Sequence, residues 1–169
     1  MALTKTELID SLQNEVRILN HLATKVDRAT LDYRPTPKQR STLEWLQYLT
    51  IMGPEVVRSI KDLKFDGEAW MRADEASKAR DFDQTVAALG KLNELYASLG
   101  DLSDEDFRAE FEMFGMKYTR ASAVVNVIIC GHAAYRTQLF VYLKACGREE
   151  LGTTNLWAGV DAAAPAAQA

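Results

Sequence analysis

Histidine and cysteine are scarce in this chain, two of each among 169 residues, alongside four prolines. Cys130 and Cys146 lie on one expected helix, too far apart for a C-x-x-C pair. Neither a disulfide framework nor a thiolate metal site is implied, and both are expected to be reduced and structural. Positive charge is not in excess: 20 Lys and Arg against 24 Asp and Glu leave a net charge of −4. That balance argues against the phosphate-neutralising face of a nucleic-acid binder. No run is apolar for long enough to cross a bilayer. The start, Met1-Ala2-Leu3-Thr4-Lys5-Thr6-Glu7, lacks the basic-then-apolar order of a secretory signal, so the chain is expected in the cytoplasm with no membrane partner. Gly-rich phosphate loops, Ser-His-Asp arrangements, H-E-x-x-H and repeats at solenoid spacing are absent as well.

What is present is helical periodicity. The length fits one domain, expected over residues 1–160, with an Ala- and Pro-rich disordered tail over 161–169. Thr4 and Glu7 form a capping-box signature, followed by Leu8, Leu12, Val16, Leu19, Leu22 and Val26 at helical spacing. Arg17, His21, Thr24 and Arg28 fall on the opposite side, which makes His21 a solvated surface residue. Pro35 and Pro37 interrupt the chain before Ser41 and Glu44 repeat the capping signature. Trp45, Leu46, Tyr48, Leu49, Ile51 and Met52 then cover most of a second helix, which marks it as buried on several sides. Gly53-Pro54 predicts a bend, with Val56, Val57, Ile60 and Leu63 continuing the period.

Residues 64–80 sustain no period and are expected to be a loop with at most a short helical turn. A third helix follows Asp81, with Phe82, Val86, Leu89, Leu92, Tyr96 and Leu99 on one face, and stops at Gly100. Residues 101–118 are expected to be mostly non-helical, with an extended alternation over 107–113. Met113 and Met116 flank Gly115 as either an adaptable lid or gap-filling side chains. The last helix is expected from Thr119 to Cys146 with an inward stripe of Val124, Ile128, Gly131, Tyr135, Gln138 and Tyr142. Arg120 and Arg136 read as ordinary helix residues. Four long helices separated by breaks of some length imply an all-α four-helix bundle, the longer connections permitting crossovers instead of a simple up-down order.

Two segments carry a resemblance. Ser41-Thr42-Leu43-Glu44-Trp45-Leu46-Gln47-Tyr48-Leu49 is similar to the W-S-x-x-E-H-L-x-H-L opening of the second helix in the DinB-like superfamily of bacterial helical bundles. Gly131-His132-Ala133-Ala134-Tyr135-Arg136-Thr137-Gln138-Leu139 resembles that family's H-x-x-x-H-R-G-Q-L fourth-helix motif at its Arg-x-Gln-Leu end. The resemblance spans nearly the whole chain and implies a homodimer. In the family, three histidines hold a metal, and better-known members are metal-dependent thiol transferases and a thiol-dependent isomerase. Mapped residue by residue, those ligand positions are Tyr48, Gly131 and Tyr135, none a histidine. Anchoring on His132 instead makes its i+4 partner Arg136, which has no lone pair to offer a metal. The expectation is therefore no metal and no cofactor.

Two readings of the altered site stand side by side. The rings of Tyr48 and Tyr135 fill the space, with their hydroxyls bonded to a backbone carbonyl or to Gln138, or they line a small-molecule pocket together with Trp45, Gln138 and His132. His132 lies beside the inward stripe with no nucleophile or carboxylate near it in sequence, so a structural role weighs against acid–base work. The function expected from the resemblance is a metal-free small-molecule-binding or interaction module, with a metal-dependent or metal-independent thiol transferase or isomerase with an atypical site as the alternative.

Overall fold

A Thr hydroxyl and a Glu carboxylate three residues apart can exchange bonds with each other's backbone N–H, and the first helix opens this way. In the computed structural model, which describes residues 3–162, Thr4 Oγ1 accepts from the Glu7 N–H and Glu7 accepts from the Thr4 N–H, ahead of α1 (Lys5–Ala23). The expected stripe Leu8, Leu12, Val16, Leu19 and Leu22 is buried. Ser41 and Glu44 repeat the capping exchange at α2 (Thr42–Asp62). This helix runs through Pro54 and ends at Leu63 in the left-handed conformation, φ 52. Gly53 serves packing: a Cβ there would overlap the hydroxyl of Tyr96. The bare backbone is a notch into which that tyrosine fits.

Residues 64–80 correct the loop expectation. Asp66 caps a helix, its carboxylate accepting from the Ala69 N–H at 2.9 Å, and α3 (Gly67–Lys78) lies along α2. Only Ala69 and Ser77 of α3 are buried. Such a helix packs through too few apolar positions to leave a hydrophobic period in the sequence. The third expected helix is divided into α4 (Phe82–Gly90), opened by a capping box of Asp81 and Gln84, and α5 (Leu92–Ala97), which a 3-10 turn extends over Ser98–Asp101. Residues 101–118 hold a 3-10 turn (Asp106–Arg108) and an antiparallel hairpin of β1 (Glu110–Met113) and β2 (Met116–Thr119). Phe111 and Met113 point into the core while Met116 is exposed, so the two methionines have separate surroundings. Phe114 and Gly115 form the hairpin loop with φ 55 and 72, the positive pair that a two-residue type I′ turn demands.

The last rod comprises α6 (Arg120–Ala123), a π turn (Val124–Ile129) and α7 (Cys130–Ala145). A π turn closes its hydrogen bonds one residue later than an α turn does, so it advances the inward face. After Val124 and Ile128 the buried positions are His132, Arg136, Leu139 and Leu143, with Tyr142 beside them. Gly131, Tyr135 and Gln138, expected to face fully inward, are half-buried on the flank toward α2. Arg136 is thus a core residue. Arg120 is another: its Nε donates to the Ile60 carbonyl at 2.7 Å and its Nη2 to that of Lys61 at 3.1 Å, a cation on the C-terminal carbonyls of α2.

Four rods, α1, α2, α4 with α5, and α6 with α7, enclose the hydrophobic core as an all-α four-helix bundle. A short π turn (Thr154–Ala158) then folds back on α1, where Arg17 Nη1 donates to the Ala158 carbonyl at 2.6 Å. His21 lies under this segment, correcting its solvated assignment: its Nε2 is 3.0 Å from Asn155 Nδ2 and 3.7 Å from the Asp161 carboxylate. The polar side of α1 is polar because it meets a polar strap. Of the tail expected over 161–169, residues 163–169 lie outside the described residues. No helix among the described residues is long and apolar enough to cross a membrane.

Candidate functional site

Trp45 and Tyr48, three residues apart, share one face of α2, and Tyr135 meets them from α7. The Trp45 and Tyr48 rings stack at 5.9 Å between centroids, and Tyr135 stands edge-on to both, at 4.6 Å from Trp45 and 5.6 Å from Tyr48. Trp45 Nε1 donates to the Tyr135 carbonyl at 3.4 Å. Gly131, one turn before Tyr135, lets α7 approach α2 closely, since a Cβ there would lie 3.0 Å from the Met52 methyl carbon. The three positions that the resemblance assigns to metal-holding imidazoles therefore converge, as two phenols and a glycine covered by a thioether. Burial first, and then the hydroxyl of Tyr135, raises the Tyr48 phenol above its ordinary range. A phenol held protonated is a poor ligand for a divalent cation. Among the described residues no three His, Cys, Asp or Glu side chains could hold a metal ion. The donor set does not fit a metal.

The aromatic layer continues outward. Arg40, immediately before the Ser41 cap, places its guanidinium 4.1 Å from the Tyr48 ring centroid and 5.5 Å from that of Trp45. Trp70 on α3 approaches Tyr48 at 6.3 Å and also contacts Phe65 and the hairpin's Phe114. A cavity of about 480 Å³ opens between the start of α2 and α3, with Asp32, Arg40, Leu43, Tyr48 and Lys78 on its walls. A second, of about 430 Å³, shares Arg40, Tyr48 and Lys78 and reaches Trp70 and Met71. Arg40, Asp32 and Trp70 were not candidates from sequence. Arg40 and Asp32 lie in an irregular segment and Trp70 on a helix without a period, so no pattern points to them.

Two of the five sequence candidates lie elsewhere. Gln138 bonds neither Tyr48 nor Tyr135: its Nε2 donates to the Tyr142 hydroxyl at 2.9 Å, and that hydroxyl donates to the Arg40 carbonyl at 3.2 Å. This relay ties α7 to the residue that covers the aromatic floor. His132 is fully buried on the opposite flank of α7, with Nε2 at 2.5 Å from the Tyr96 hydroxyl and Nδ1 without a partner. Burial lowers its pKa to about 4 from 6.5. Unfolding restores the ordinary value, so between these limits the unfolded chain binds the extra proton and stability falls as pH drops. The loss amounts to about 3 kcal/mol in total, close to 1 kcal/mol per pH unit. Urea unfolding of the wild type between pH 7 and 5 is expected to show this slope, and His132→Phe should flatten it; an unchanged slope in the variant would place the titration in another group.

No family model matches the sequence, and no curated protein matches it either. Among solved structures the architecture is that of a DinB-like helical bundle. The crystal structure of a DinB-like protein, YjoA, from Bacillus subtilis superposes with a TM-score of 0.66 at 16% identity, over 86% of this chain and 95% of that one. At this identity the likeness defines the fold.

Proposed function

We propose that residues 1–160 form one DinB-like domain that binds a small molecule without a metal ion, in the cleft between α2 and α3. It acts in the cytoplasm as a homodimer. The observation that carries the binding role is the combination at Tyr48: its ring packs against Trp45 and Tyr135 on the inner side, while its outer side meets the Arg40 guanidinium at the wall of a cavity. The cavity wall is mostly polar and charged, with Leu43 and the Tyr48 ring as its apolar part, and placed polar groups beside an aromatic face are what orient a ligand in a small-molecule site. The catalytic alternative, a thiol transferase or isomerase, has less support. It would rely on Tyr48, Tyr135 or His132, yet the Tyr48 phenol is held protonated and His132 is sealed in the core against Tyr96.

A thermal-shift screen in the presence of chelator tests the reading, because a ligand that binds only the folded state stabilises it by about 2.7 kcal/mol at a hundredfold excess over Kd. Compounds that raise Tm in chelator, and fail to do so in Tyr48→Ala, are the expected result. Stoichiometric zinc, nickel or iron in protein purified without a histidine tag would overturn the metal-free reading, and a screen without hits would overturn the binding role.

A further inference from the structure

The charges around the larger cavity are mostly spoken for. Arg34 pairs with Glu44 at 3.4 Å, and Lys78 pairs with Asp74 at 3.0 Å. Two lining charges of opposite sign remain. The Arg40 guanidinium stacks on Tyr48 and the Asp32 carboxylate lines the same cavity, and among the described residues neither side chain forms an ion pair or a hydrogen bond. A guanidinium on an aromatic face keeps its N–H fork free for a planar anion. The lining carries three cations, Arg34, Arg40 and Lys78, against three anions, Asp32, Glu44 and Asp74, so it is neutral as a whole.

Resting on the small-molecule reading above, we infer that this cavity takes a zwitterion, namely a free amino acid with an apolar or aromatic side chain. The carboxylate meets Arg40, the ammonium meets Asp32, and the side chain lies against Tyr48 and Leu43. A phosphate dianion would face Asp32 with like charge and leave the wall net negative. A diamine would do the reverse at Arg40. A peptide end carries only one of the two charges and leaves the other wall residue unanswered. The volume, about 480 Å³, falls within the range of about 300–1,000 Å³ of small-molecule sites.

Calorimetric titration of the full chain tests this with L-phenylalanine and L-leucine as probes, against N-acetyl-L-phenylalanine, which lacks the ammonium, and L-phenylalaninamide, which lacks the carboxylate. At least one free amino acid is expected to bind, with deletion of either charge weakening binding by about tenfold or more, as for a charge-assisted contact. Arg40→Gln should abolish the preference over the amide, and Asp32→Asn the preference over the N-acetyl compound. Both residues are exposed, so both variants should retain the wild-type melting curve without ligand. Failure of both amino acids to bind at millimolar concentration overturns the inference, as does equal binding of the singly charged analogues or unchanged affinity in both variants. If singly charged compounds raise Tm through Tyr48 while amino acids do not, the zwitterion inference fails and the small-molecule role stands. If no compound of any class binds, both fail.

Discussion

Glu15→Leu is expected to destabilise the protein by about 3–5 kcal/mol, the cost of leaving a buried charge without its partner, and the reciprocal Arg136→Met should cost distinctly less. The two side chains face each other across α1 and α7, both nearly buried, with Arg136 Nε at 3.3 Å from Glu15 Oε2. Neither atom completes a hydrogen bond. Burial raises the Glu15 carboxyl above its ordinary pKa even though Arg136 pulls it down, so desolvation outweighs the attraction. In Glu15→Leu the guanidinium cannot shed its proton, and its remaining partner is the Trp157 ring at 5.3 Å. In Arg136→Met the carboxyl escapes by protonation. Its folded pKa then exceeds the unfolded value further, so its contribution to stability declines as pH rises and is recovered on lowering the pH toward 5. Glu15→Leu gains no such recovery. The double variant is expected within about 1 kcal/mol of wild type or above it, since a packed apolar pair avoids the desolvation. Urea unfolding of the three variants at pH 7 and pH 5 measures all of this; equal single costs that simply add would mean that the two side chains do not act as a pair.

The sequence announces its helix starts well because capping is local chemistry. Thr4 with Glu7 and Ser41 with Glu44 need only their own turn to satisfy each other, and both boxes form. The alternation before the hairpin is equally local, with Phe111 and Met113 facing inward from the first strand. What the sequence conceals depends on partners distant in the chain. The helix over Gly67–Lys78 buries two small residues and leaves no stripe to read. His21 is polar because Asn155 and Asp161 come back to it from the far end of the chain.

The π turn over Val124–Ile129 has no composition of its own, yet it decides which residues of the last helix enter the core. It moves His132 and Arg136 inside and leaves Tyr135 and Gly131 on the flank that meets α2. Trp45, Tyr48 and Tyr135 come together for that reason, while His132 and Gln138 separate from them. The cavity's own features, Arg40 and Asp32, depend on the path of an irregular segment, which periodicity does not encode.

The second large effect is expected at Gly53. Alanine is the better helix former by about 1 kcal/mol, yet Gly53→Ala should destabilise by about 3 kcal/mol net. Its Cβ would overlap the Tyr96 hydroxyl and lie 3.0 Å from the ring's Cζ. Tyr96 is fully buried, so the ring cannot swing aside without displacing neighbours. Forcing it to do so costs about 1–3 kcal/mol for overpacking. The shift also breaks the bond to His132 Nε2, leaving an imidazole whose Nδ1 is already unpartnered with no partner at all, which adds about 1–3 kcal/mol. Tyr96→Phe alone removes the hydroxyl and should cost only that second amount. Combining the two removes the overlap, because the atom in the notch is the hydroxyl itself, and the double variant should lie close to Tyr96→Phe. Equilibrium urea unfolding of the four proteins gives the coupling directly, expected to match the Gly53→Ala cost itself, about 3 kcal/mol in favour of the pair. Strict additivity would show that the tyrosine does not occupy the notch, and the burial that lowers the His132 pKa would then require another explanation.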